Sequence, residues 1–600
     1  MQKGLNSTIA LLLILVSHAI EAVHLNYDRV GQVALLPYYT VNNSFITNFT
    51  VTNTTAMYKA VRIRLLDSKI SADLLNINVY LAPYDVWNAT LRKNPGNSLP
   101  NLITEDESCT IPAKSQLQAG LDITNPYSEL TNDDLTEGYI EIIDMGDIAD
   151  GPGGADDGDR YAEIDASGTA DGSLNTTAGD RSITAGLMHQ DGIPPDCSVV
   201  VDAWDAGTSS ASSINGFEPG AMGAEGIAED SGDSSSPYDN SQNAGLVAPS
   251  GGLKAYGIMI DVANGAAYVQ EAEHIDRYTT VAQHYLPSDP VHYRLPSLAS
   301  GDIQEVYITN DSGSGRKGDT MPLTEYDTGA LQDISPLPSV PMGSNPLPIA
   351  ILLSAEQVSI PYFLEENLNG QTEIVLTFPM RKHGIHNSGR LSNQIDSELT
   401  ACIGTLNNGI DDGQAVELTS LGVTVQDYPH HDDGSYCENT GFDDIIDANN
   451  FIRLDTETEV IHYDYQGSTS VVTFFYTDGS IGTYPSASDL FLERTVNVNR
   501  LYAGEISTDA LFGTPDTNLH QLVLRPGYHS GSMTFVFKSI YQYNDKESVA
   551  ALTEPVGGLG STVNNSWQGV PVIGFAAISS EVESNTLGET IDLVRHVYRE

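Results

Sequence analysis

Basic side chains are scarce in this 600-residue chain: 27 Lys and Arg stand against 80 Asp and Glu, a formal net charge of -53 at pH 7. A surface so negative repels nucleic acid and anionic lipid, so neither is expected as a partner. It also repels itself, strongly at low ionic strength and weakly in brine, where the Debye length shrinks to about 3 Å at 1 M. Divalent cations relieve the same repulsion, so a salty or calcium-containing exterior suits this composition. Long apolar runs are missing too. The run at residues 9–16 follows Lys3 and precedes Ser17, Ala19 and Ala22, and it is too short for a bilayer, which needs about 20 apolar residues. A charged start, a short apolar centre and small residues read as a signal peptide over residues 1–22, which predicts export. No transmembrane segment is expected in the mature chain.

Cysteine is rare. Cys109, Cys197, Cys402 and Cys437 are the four, and no C-x-x-C occurs, which leaves a redox role without support. An even count in an exported chain favours disulfides over metal thiolates. Three pairings are open, and Cys109–Cys197 with Cys402–Cys437 is preferred because each pair then lies within one half of the chain. Chain entropy assigns about 4 to 5 kcal/mol to the longer loop. The G-x-S-x-G elbow, the H-E-x-x-H helix and the P-loop are absent as well. The usual signals of an α/β-hydrolase, a zinc protease and a phosphate-loop ATPase are therefore missing. No internal repeat of the length that builds solenoids or propellers is present.

What the sequence has in abundance is alternation. In "KAVRIRLLDS" Val61, Ile63 and Leu65 alternate with Arg62 and Arg64, the pattern of a half-buried strand. "NINVYLAP", "GYIEII", "AYGIMIDV", "TEIVLTF", "SVVTFFY" and "MTFVFK" also read as strands, and clusters of Gly, Asn, Asp and Pro separate them as turns. Helical periodicity is confined to three short candidates, residues 266–275, 487–496 and 545–552. The expected fold is mainly β: two β-sandwich-like domains with long acidic Gly/Ser/Asp-rich loops and a few short helices. The stiff, proline-rich residues 335–348 are expected to link a domain over 23–334 to one over 349–600. An irregular insertion at about 146–250 interrupts the first, with an ordered island at 186–204 pinned by Cys197 and Trp204. "GQVALLPYYT" (31–40) carries a proline inside an apolar run. Pro37 cannot donate to a ladder, so an edge strand or a bulge is expected there. An edge would be either blunted against aggregation or open to strand exchange between subunits.

The acidic loops supply the oxygen donors that Ca²⁺ accepts in irregular geometry. Asp147, Asp150, Asp156, Asp157 and Asp159 are the candidates in one loop, Asp411 and Asp412 in another. Neither loop has the EF-hand spacing, and an acidic loop left in water explains the same residues. "YPHHDDGSYC" joins His430, His431, Asp432 and Asp433, donors suited to zinc or copper. Adjacent residues on an extended strand point to opposite faces, which weakens that site. "RKHGIHNSGR" sets His383 and His386 near Arg381, Lys382 and Arg390, a rare basic patch for an anion or acidic neighbour, or a charged loop after a strand. The sequons at Asn48, Asn53 and Asn88 matter only in a eukaryotic secretory path. No catalytic residue is assigned, and Ca²⁺ is the one cofactor the residues point to.

"GQVALLPYYTVNNSFITNFTVTNTT", "AVRIRLLDS", "VYLAPYDVWNA", "EGYIEIIDMGDI", "MHQDGIPPDC", "TEIVLTFPMRKH" and "PVIGFAAISS" together resemble a family of exported, cell-surface proteins of proteobacteria. The resemblance touches both halves of the chain. It implies an envelope or extracellular location and brings no catalytic residues. The expected function is a non-enzymatic structural protein of the cell surface, a coat, filament or matrix component stabilised by Ca²⁺ and self-associating through edge strands. One alternative is an extracellular glycan- or metal-binding protein, with surface polysaccharide as partner and Trp87, Trp567 or exposed tyrosines as stacking platforms. A second is a secreted hydrolase whose carboxylate pair does not stand out among so many acids.

Overall fold

The structure is a computed structural model that describes residues 23–125, 130–148, 163–164, 181–198, 200, 246–280, 282–288, 295–301, 305–308, 319–322, 347–355, 357–381, 415–418, 423–426, 456–464, 469–470, 473–475, 481–483, 490–492, 494–503, 511–512, 519–524, 529–537, 570–582 and 585–596. These form a mainly β protein with very few helices, and the strands stack as two sandwiches. The first sandwich uses strands between His24 and Asp276. Its eight-stranded sheet has Val33–Thr40, Glu137–Ile148 and Tyr58–Asp67 at its centre, and its six-stranded sheet runs from Ala266–Glu271 through Leu253–Asp261, Phe45–Asn53 and Val86–Lys93. Alternation sends Val61, Ile63 and Leu65 inward from one sheet to meet Phe49, Val51, Trp87 and Leu91 from the other. Trp87 is fully buried, with Phe49 edge-on at 5.7 Å. It therefore holds a core and is no platform for a sugar.

The second sandwich uses strands between Ser354 and His596. A six-stranded sheet centred on Ser530–Phe537 packs on a seven-stranded sheet that includes Leu519–Leu524, Val496–Ala503, Gln371–Thr377, Ile573–Val582 and Asn585–Asp592. Val358, Ile360, Ile374, Leu376, Leu501, Met533 and Phe535 fill the space between them. Among the described residues no helix is long and apolar enough to cross a membrane.

Two expected helices are strands. Residues 266–275 hold Ala266–Glu271 and Glu273–Asp276, while 487–496 hold Leu490–Leu492 and the start of Val496–Ala503. In the first, Ala266, Tyr268 and Gln270 are buried and their neighbours exposed, so a period of two overlay the helical spacing and a sheet ladder was available to take it. Residues 545–552 lie outside the described residues.

The Val33–Thr40 strand resolves the proline question. It is no outer edge: Glu137–Ile148 pairs along one side, and Glu273–Asp276 pairs with Val33, Ala34 and Leu35 along the other. The ladder shifts register opposite Gly138 and Ile140, so the strand bulges at Pro37 and Tyr38, where the missing N–H costs nothing. Beyond Leu35 side chains replace the absent neighbour. The Gln270 amide accepts from Tyr38 N–H at 3.1 Å and donates to Tyr38 C=O, and Thr47 Oγ1 does the same for Thr40. That half of the strand offers no ladder to a second molecule.

The half-buried reading of "KAVRIRLLDS" also changes. Arg62 and Arg64 point away from the sandwich core yet are buried. Arg62 Nη2 donates to Tyr285 C=O at 2.6 Å, and Arg64 bridges Asp73 and Glu141 at 2.5 Å each. A second layer covers this face, containing Leu187, Val200, Leu246 and Leu286 and tied down by the Cys109–Cys197 disulfide. The preferred pairing of those two cysteines is thus formed; Cys402 and Cys437 lie outside the described residues.

Candidate functional site: the cleft between the sandwiches

The outer face of the seven-stranded sheet packs on the first sandwich. On Gln371–Thr377, Ile374 and Leu376 face the inner core, so Glu373, Val375 and Thr377 face the other way. On the neighbouring strand Val496, Val498, Arg500 and Tyr502 do the same. Val375, Val496, Val498 and Phe575 join Tyr38, Phe45, Leu66, Tyr139 and Tyr268 of the first sandwich in one apolar cluster. Phe512 is its hub, with ring centroids 5.6 Å from Tyr38, 5.1 Å from Phe45 and 5.2 Å from Tyr268. A second cluster joins Val33, Leu35 and Tyr278 to Ile349, Leu353 and Ile573. Hydrogen bonds cross as well: Val496 N–H donates to Ser68 C=O at 2.8 Å, and the Thr377 hydroxyl to Pro37 C=O at 2.7 Å.

Charge is buried in this interface. Arg494, from the second sandwich, lies 3.0 Å from Asp134, and the Tyr38 hydroxyl donates to Glu137 at 2.8 Å. Burial pushes the Glu137 carboxyl up to about 7, against the pull of Arg494 and the Tyr38 and Ser68 hydroxyls. Asp67 accepts the N–H groups of Lys69, Ile70 and Ala72, yet burial still raises it to about 6. Desolvation is the largest influence on both Asp67 and Glu137, and the neighbouring Asp134 carboxylate adds to it.

At one margin the interface opens into a cleft of about 910 Å³. Asn43, Phe45, Asp261 and Asn264 line it from the first sandwich, and Glu366, Asn369, Gln371, Arg500, Tyr502, Glu581 and Thr586 from the second. Arg500 sits directly opposite Glu373 across the ladder, with Nη1 3.8 Å from Oε1, and its guanidinium lies 4.8 Å from the Tyr502 ring centroid. Glu373 spends its oxygens elsewhere: they accept the N–H groups of Leu511 and Phe512, each at 2.7 Å. Arg500 is 2% exposed, and its Nε and Nη1 make no hydrogen bond among the described residues. On the walls, Asp261 closes its own turn through the N–H groups of Ala263 and Asn264, and Asn369, left-handed at φ 45°, donates to Glu581 at 2.6 Å.

Of the expected metal ligands, Asp147 is described, and it is not in a loop. It sits in Glu137–Ile148, where Lys59 reaches Asp147 at 2.6 Å and Asp144 at 2.8 Å. Burial alone would lower the Lys59 ammonium, but the two carboxylates outweigh it and raise it. Burial also raises Asp144 to about 6, because one ammonium serves two acids. Asp150, Asp156, Asp157, Asp159, Asp411, Asp412, His430, His431, Asp432 and Asp433 lie outside the described residues, as do His383, His386 and Trp567. Arg381, counted with a basic patch, is buried, donating to Leu492 C=O at 2.6 Å and lying 5.2 Å from the Phe378 ring centroid. The sequence reading missed Glu373, Arg500 and Asp261. Strand alternation was a signal for their placement, but on a face that reads as solvent-facing until the second sandwich covers it.

Comparison with protein-family models, curated proteins and solved structures returned no match.

Proposed function

We propose that this protein is an exported, non-enzymatic structural component of the cell surface, built as a stiff negatively charged block. The observation that carries the reading is the interface itself. Two sandwiches are locked by an apolar cluster, backbone hydrogen bonds and buried charge pairs, so load passes from one to the other without a free hinge. The amino-terminal signal-peptide pattern, the net charge of -53 and the resemblance to exported proteobacterial proteins support the location. The mode of assembly follows from the edges. Ala266–Glu271 and Asn585–Asp592 are long outer strands of their sheets, but they pack on one another, with Thr590 donating to Val269 C=O. Copies therefore associate through acidic faces bridged by Ca²⁺ rather than through those strands.

The test is to concentrate the purified mature protein with and without Ca²⁺ and image it by negative stain. Ordered sheets or filaments that dissolve in chelator are expected. Single particles under every condition, with an unchanged melting curve in excess chelator, would refute the reading.

A further inference from the structure

We propose that the outer face of the six-stranded sheet in the first sandwich is where a second copy of this chain docks, laying one of its acidic faces there head to tail. The inference rests on the scaffold reading: Ca²⁺ eases the repulsion between acidic copies, and this face fixes where they meet. Alternation sends Phe49, Val51, Trp87, Leu91, Leu253 and Ala255 into the core, so the residues between them point outward. A sheet face left to water is ordinarily polar. This one carries Ile46, Tyr256, Ile258 and Ile260, all partly exposed, and Val269, 49% exposed. They adjoin one another across the ladder, Ile260 opposite Ile46 and Ile258 opposite Val269. Leu587 of the second sandwich, 54% exposed, extends the patch across the seam, where Gly588 lies against Ala267 and Tyr268.

Charge selects the occupant. Arg92 and Lys254 point outward on this face, both exposed, and neither makes an ion pair among the described residues. On Ala266–Glu271, Leu253–Asp261, Phe45–Asn53 and Val86–Lys93 the only outward carboxylate is Glu271, and Arg29 holds it. The chain has 80 acidic residues against 27 basic ones, so a face with cations to spare is an exception on it. Another copy supplies the opposite sign almost anywhere else on its surface. A symmetric pair would set the positive face against itself. The contact is therefore heterologous, and a heterologous contact that does not close builds an open filament. Four strands about 4.8 Å apart, each offering about 20 Å of length, present about 400 Å². That is about half of what each partner buries in a standard interface, so the contact runs past the sheet onto its flanks, Leu587 included.

Sedimentation velocity and negative stain on the full mature chain in Ca²⁺ test this. The wild type should form open arrays. Val269→Glu, and separately Arg92→Glu combined with Lys254→Glu, should raise the concentration needed for assembly about tenfold. Their unfolding temperatures should not change, because these side chains are exposed. Ile193→Glu, similarly exposed but next to the layer over the opposite sheet, should assemble as the wild type does. In a head-to-tail contact Val269→Glu keeps its acidic side, so as a minor component it should cap growing ends and shorten wild-type arrays. Growth that stops at a symmetric dimer, or wild-type arrays of unchanged length in that mixture, would overturn the proposal. Arrays that form equally well in every variant would overturn the docking face alone. A wild type that stays single under every condition would overturn the scaffold reading with it.

Discussion

Replacing Glu137 by Gln should make the protein more stable at alkaline pH and leave it unchanged in acid. Glu137 is fully buried at the interface, and its carboxyl is held at about 7 against an ordinary 4.5. A folded-state value above the unfolded one means that the folded chain holds the proton more tightly. The stabilisation is complete below the unfolded value and disappears as pH rises through about 7. A displacement of this size corresponds to about 3 kcal/mol once the group is fully ionised. Gln preserves the shape and the acceptor for Tyr38 while removing the ionisation. Urea unfolding of both proteins from pH 5 to 8.5 at constant salt, followed by tryptophan fluorescence and circular dichroism, reads the difference. The variant should match the wild type near pH 5 and exceed it by about 2 to 3 kcal/mol at pH 8.5. A variant less stable than the wild type at pH 8.5 would show that the Arg494 attraction outweighs burial, and a pH-independent offset would sink the reasoning equally.

Lys59→Met strands Asp144 and Asp147 without their ammonium and should cost about 3 to 5 kcal/mol at pH 7.5. The loss should shrink at pH 5, where Asp144, raised to about 6, takes up a proton. Removing the Cys109–Cys197 bridge, which spans 88 residues, should cost about 4 to 5 kcal/mol, seen as a lower unfolding temperature in the double serine variant. Phe512→Ala empties the hub of the interface and should cost about 3 to 5 kcal/mol, with faster hydrogen exchange at Tyr38, Phe45 and Tyr268.

The strand pattern was legible where alternation had one meaning. Val61, Ile63 and Leu65 announced an inward face, and a sandwich followed because such a face must be covered. Pro37 announced a bulge or an edge by its missing N–H, but the choice between them depended on Glu137–Ile148 and Glu273–Asp276, both more than 90 residues away. Residues 266–275 misled because Ala, Glu and Gln carry helical propensity, which a few tenths of a kcal/mol per residue cannot defend against a waiting ladder.

By itself, then, the order of residues determined the strand periods, the placement of Gly, Pro and Asn at turns and the acidic excess. These are local or compositional properties, readable within a few residues or by counting. Only the tertiary structure decided that the polar faces bearing Arg64, Glu373 and Arg500 are buried, that two long edges cover one another, and that a polar cleft opens between the sandwiches. Those outcomes depend on which faces meet across hundreds of residues, where packing and desolvation act between segments that carry no trace of each other in sequence.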